Sequence, residues 1–100
     1  MTFKNDTITK ELLDKYFKIT GEALEKVKSH EIDIDRLKQA KDFLHMAQCY
    51  YDDAQHFFDN NNWVLAYAAL NYAHGWLDAG ARSGLFKVKD SRLFTVDDDN

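Results

Sequence analysis

One hundred residues, 45% apolar and 14% aromatic, suit one domain with a single core, near the lower end of the size at which burial alone sustains a fold. A formal net charge of -4 without a basic stripe argues against nucleic acid as the main partner, because phosphate binding needs clustered Lys and Arg, and disfavours an anionic membrane surface for the same reason. No apolar, uncharged run reaches the roughly 18 residues of a membrane span, MTFKNDTITKELL lacks the features of a secretory leader, and Cys49 is the single cysteine, so a cytoplasmic protein without internal disulfides is expected.

The first amphipathic pattern runs over about 7–29, where Leu12, Tyr16, Ile19, Ala23 and Val27 recur at threes and fours between Lys and Glu. Thr7 or Asp6 is placed to cap it. HEIDID, 30–35, interrupts the pattern and offers Asp33 or Asp35 as the next N-cap. A second helix over about 34–58 then carries an unbroken heptad seam of Leu37, Ala40, Leu44, Ala47, Tyr51, Ala54 and Phe58.

DNNN, 59–62, reads as a tight helix-to-helix turn, since Asn tolerates the left-handed conformation that ends one helix and can cap the next. Helix three, about 62–85, repeats the seam with Trp63, Ala66, Leu70, Ala73, Leu77, Gly80 and Gly84. The expected fold is all-α: a three-helix up-and-down bundle in one domain, with long antiparallel helices two and three. The tail, 87–100, holds Leu93, Phe94 and Val96, enough to dock but too little to fold alone; its DDDN terminus is expected to be disordered.

Glycine inside a helix costs about 1 kcal/mol relative to alanine. Gly80 and Gly84 fall on the seam, where a missing side chain makes room for a backbone or an aromatic, and Gly84 alternatively marks the helix end. Gly75 lies off the seam, beside Leu65, Ala68, Tyr72, Trp76 and Ala79, a second apolar strip on the same helix. A monomeric bundle needs one apolar face per helix, so this strip calls for a cover: helix one, the tail, or a symmetry mate packed on Leu65, Tyr72 and Trp76.

Polar residues mark another strip. Asn71, His74, Asp78 and Arg82 lie along helix three and His45, Gln48, Asp52 and His56 along helix two, each about 120° from its seam and on one broad side of the hairpin. A solvated face laced by His74–Asp78 and Asp78–Arg82 pairs explains them. The sharper alternative is a small-ligand or catalytic site made of His45, Asp52, His56, Asn71, His74, Asp78 and Arg82. No Ser or Cys is evidently paired with His74 and Asp78 as a nucleophile. Cys49 points away from His45, Asp52, Asp53, His56 and His74 on the helical wheel, so no metal or other cofactor is assigned.

YYDDA, 50–54, followed by WVLAYAALNYAHGWLDAGARSGLF, 63–86, resembles the archaeal family catalogued as domain of unknown function 357, whose short members carry a YAHGWLDAG-like core. The likeness covers helices two and three and the start of the tail, with helix one fitting by length and position. It implies a three-helix up-and-down bundle and an archaeal, cytoplasmic source, and it implies no activity. AKDFLHMAQCYYDDAQHFF with the alanine-rich helix after it is more distantly similar to the nucleotide-binding helical domains called HEPN. Members of that group that cleave RNA carry Arg followed within a few residues by His; here His45 is too far beyond Arg36, and no His follows Arg82. The expectation is a noncatalytic helical module that forms a homodimer or binds a partner protein.

Overall fold

A computed structural model describes residues 6–96. Three helices, α1 (Lys10–Ser29), α2 (Leu37–Asp59) and α3 (Trp63–Arg82), form the expected all-α up-and-down bundle, with a single 3-10 turn, Ile34–Arg36, ahead of α2. Among the described residues no helix is long and apolar enough to cross a membrane. The DDDN segment expected to be disordered lies outside the described residues.

α1 starts later than the sequence pattern suggests, because Thr9 caps it in place of Thr7 or Asp6: its Oγ1 accepts the Leu12 N–H at 3.2 Å. Ile8 before the cap and Leu13 after it join one apolar cluster, a hydrophobic staple that fixes the entry of the chain. The buried register is Leu13, Thr20, Ala23, Leu24 and Val27, one residue away from the Leu12 register at the N-terminal end. Asp33 caps the 3-10 turn through the Asp35 N–H at 3.0 Å, and α2 begins only at Leu37. The Arg36 guanidinium holds the same Asp33 carboxylate and also donates to the Ser83 carbonyl at 3.0 Å, tying the start of α2 to the end of α3.

Both ends of the hairpin close by the same device. Asn61, at φ 62°, follows α2, with Asn62 N–H on the Phe57 carbonyl and Asn61 N–H on the Phe58 carbonyl. Gly84, at φ 80°, follows α3, with Leu85 N–H on the Gly80 carbonyl and Gly84 N–H on the Ala81 carbonyl. These are Schellman motifs, which satisfy the last carbonyls of a helix through one left-handed residue. Gly84 therefore ends helix three and is not a seam position, and the helix stops at Arg82, short of 85.

The fully buried positions of α2 are Ala40, Ala47 and Ala54, and α3 buries Ala66, Ala73 and Gly80 at matching distances from the turn. Counting outward from the turn, Ala54 falls opposite Ala66, Ala47 opposite Ala73, and Ala40 opposite Gly80. Bulky residues flank this small-residue seam. On one side Phe17 of α1 meets Tyr51 and Phe58 edge-on, with ring centroids at 5.8 and 5.6 Å. On the other, Phe43 meets Trp76 at 5.0 Å and Tyr50 meets Tyr72 at 4.4 Å.

The chain beyond α3 is docked, with Leu85, Phe86, Val88, Leu93 and Phe94 buried against α1 and α3. An isolated antiparallel bridge pairs Phe86 with Ile32 in the α1–α2 connection. The Phe86 ring lies where a Cβ at Gly80 would have to sit, so the aromatic received by that glycine comes from the tail, not from helix one or two. Gly80→Ala is expected to cost about 1–3 kcal/mol in urea unfolding, the range for overpacking a well-filled core. An unchanged unfolding midpoint would show that Phe86 is not seated there.

Candidate functional site

The polar strip of α3 turns out to hold the tail. His74 bridges two elements: its Nε2 donates to the Leu93 carbonyl at 2.6 Å, and its Nδ1 lies 3.0 Å from the Thr20 hydroxyl of α1. A carbonyl can only accept, so Nε2 carries the proton and, in the neutral ring, Nδ1 accepts from Thr20. Thr20 is the buried polar residue of α1, and this bond satisfies its hydroxyl.

Asp78 and Arg82 do not pair with each other as a solvated face requires. Asp78 Oδ1 accepts the Thr95 N–H at 2.9 Å, and Arg82 Nη1 donates to the Thr95 carbonyl at 3.4 Å. The two side chains clamp one residue of the tail. Between His74 and Asp78 the nearest approach is 3.9 Å, too long for a hydrogen bond. Asn71 is exposed on the outer side of the same helix.

On α2 the counterpart strip makes contacts along its own helix. His45 Nε2 lies 3.5 Å from Cys49 Sγ, and Gln48 donates to Asp52 at 2.9 Å. His56 is exposed, its ring tilted at 6.2 Å from Phe57. His74, by contrast, is engaged with α1 and the tail, so the two strips serve different surroundings. Among the described residues no three of His, Cys, Asp and Glu are grouped to hold a metal ion.

Thr20, Leu93 and Thr95 are the latch residues that sequence reasoning missed. Two of them contribute main-chain groups, which carry no mark in the sequence. Ion pairs complete the attachment: Lys26 Nζ to Asp90 at 3.1 Å and Arg92 to Glu22 at 2.8 Å. The Lys26 ammonium, helped by the Arg92 backbone N–H, holds the Asp90 carboxyl below its ordinary range against some desolvation. Arg36 does the same for Asp33, aided by the Asp35 N–H.

The apolar strip has a different fate. α1 and the described part of the tail occupy the His74 side of α3, and neither covers the Tyr72 side. Leu65 is 50% and Tyr72 55% exposed, while Trp76 is half-buried against Phe43. A shallow groove of about 280 Å³ runs along Asn71, Tyr72, Gly75, Trp76 and Ala79. Among the described residues a Cβ placed on Gly75 would meet nothing within 4 Å, so none of their contacts requires a glycine there.

Residues 15–86 match the family described as a protein of unknown function, DUF357. The chain belongs to that family. No curated protein and no solved structure matches it. The DUF357 match takes in most of α1, the hairpin and Phe86, so His74, Asp78 and Arg82 fall inside the matched span, whereas Leu93 and Thr95, which they hold, follow it.

Two predictions follow from the latch. Asp78→Ala should speed hydrogen exchange of the Thr95 amide by at least about tenfold while amides of α2 and α3 keep their protection; unchanged exchange would remove Asp78 from the attachment. The depressed carboxyl of Asp90 contributes stability that is complete above the ordinary carboxylate pKa and is lost as pH falls through the lower folded value. The melting temperature should therefore drop on acidification below about pH 4, and Asp90→Asn should flatten that drop.

Proposed function

We propose that this DUF357 protein is a noncatalytic helical module, archaeal and cytoplasmic, that self-associates through the uncovered face of α2 and α3. The observation that carries the reading is that face itself: Leu65, Tyr72 and Trp76 with Tyr50 and Phe43, left open by both α1 and the tail. Exposed apolar area of this kind, without charge, marks an interaction surface.

A second copy is the occupant that fits best. From Leu65 to Ala79, α3 carries no Lys, Arg or Glu, and its His74 and Asp78 are both turned to the tail, so α3 brings no like-charge repulsion to a meeting of two copies. Gly75 lies in the groove with Tyr72, Trp76 and Ala79 around it. Where a two-fold axis crosses a helix, the residue on the axis meets its own copy, and a residue without a side chain allows the closest crossing. A ligand on His45, Asp52, His56, Asn71, His74, Asp78 and Arg82 is the second reading, and it has to displace the tail from His74, Asp78 and Arg82.

Light scattering on a size-exclusion column over a hundredfold loading range tests the proposal. The wild-type chain should give a dimer, and Trp76→Glu a helical monomer. Gly75→Leu should weaken the dimer while leaving the helical content of the monomer unchanged, because a Cβ at this position meets nothing within 4 Å among the described residues. A wild-type monomer at every loading would end the self-association reading.

A further inference from the structure

Three separate parts of the chain bring cations to one cavity of about 670 Å³. Lys26 comes from the last turn of α1, Arg82 from the last turn of α3, and Lys87 and Lys89 from the tail. Among the described residues, every ionisable group in the lining is one of these or His30, and no carboxylate is included. This segregation occurs in a chain with 17 acidic and 13 basic residues. Phe86 and Val88, both buried, add apolar side chains to the lining.

The charges are poorly neutralised. Lys26 is paired with Asp90, but among the described residues Arg82, Lys87 and Lys89 take part in no ion pair. Lys87 acts on Asp33 only at longer range. Complementing the C-terminal dipoles of the parallel helices α1 and α3 accounts for Lys26 and Arg82. It does not account for Lys87 and Lys89, which stand on extended chain after the helices have ended.

We propose that this cavity binds a compact oligophosphate. Several cations spread around one concavity suit an anion with more than one charged group, and the planar fork of Arg82 matches adjacent phosphate oxygens. A long polyanion is disfavoured because residues 31–60 carry seven acids against three bases, whereas a small anion need touch only the cavity. The volume falls in the range of about 300–1,000 Å³ common for small-molecule sites. Since the tail supplies two of the cations, binding also favours its docked state. The inference is independent of the self-association face, which lies on the other side of α3.

The test is calorimetric titration of the full chain with inorganic pyrophosphate at constant ionic strength, with a parallel thermal melt. Saturable binding and a raised melting temperature are expected. Lys87→Gln/Lys89→Gln should weaken binding by at least about tenfold with the ligand-free melt unchanged, because both lysines are exposed. Lys38→Gln/Lys41→Gln, outside the cavity, should bind as wild type. Adenosine diphosphate binding more tightly than pyrophosphate identifies a nucleotide as the source of the phosphates, and equal affinity identifies the inorganic anion. No saturable binding, equal binding by the Lys87/Lys89 variant, or a melt shift reproduced by sodium chloride at the same ionic strength would overturn the proposal.

Discussion

The contact on which the rest of the structure depends is the seam of small residues between α2 and α3. Ala40, Ala47 and Ala54 stand at the same distances from the turn as Gly80, Ala73 and Ala66, all buried, with the Phe86 ring filling the side-chain place at Gly80. Small side chains bring helix axes toward the lower end of the usual spacing of about 8–10 Å, and bulky neighbours then have no room between the helices. They are pushed to the two sides. One constraint thus creates two aromatic faces, Tyr51 and Phe58 toward α1, and Phe43, Tyr50, Tyr72 and Trp76 away from it.

A single additional helix can cover only one of those faces. α1 takes the first, packing Phe17 between Tyr51 and Phe58, and the tail extends that layer past the C-terminal half of α1. The tail is irregular, so its peptide groups lack the partners that helix or sheet would supply, and burying Leu93 and Phe94 draws those groups out of water. His74, Asp78 and Arg82 answer that need, one for the Leu93 carbonyl and two for the two ends of Thr95. A polar strip on a helix can therefore be structural without being buried in the core: it is the hydrogen-bonding edge to which a non-repetitive segment is attached.

The local features were legible in the sequence because each depends on residues close together in the chain. The heptad spacing of Ala40, Ala47 and Ala54, the Asn-rich turn before Trp63, and the split of α3 into a seam and a second strip all survive in three dimensions. The failures share a different cause. Leu12 and Leu13 are both apolar, so periodicity alone leaves the register of α1 open, and buried Thr20 hides the true face until its partner His74 is known. Gly80 announces a close approach but not that Phe86 makes it. The pattern His74, Asp78, Arg82 fits a salt-linked surface and a main-chain latch equally well, since backbone acceptors and donors are the same in every residue. The cationic cavity was hidden for the same reason: its lysines and arginine are far apart in sequence and meet only when the tail docks.

Gly75 gives the open face its physical edge over a merely tolerated apolar surface. A glycine in a helix interior costs about 1 kcal/mol relative to alanine, and at Gly80 that cost is offset by the ring of Phe86. At Gly75 nothing among the described residues offsets it. The half-exposed Leu65 and Tyr72 beside it, the latter resting on Tyr50 by only part of its surface, add hydration cost. Both costs fall on one strip of one helix, opposite the side that α1 and the tail already fill. A surface that approaches closely at Gly75 and packs on Tyr72 and Trp76 removes both at once, which is the physical case for an interface on this face.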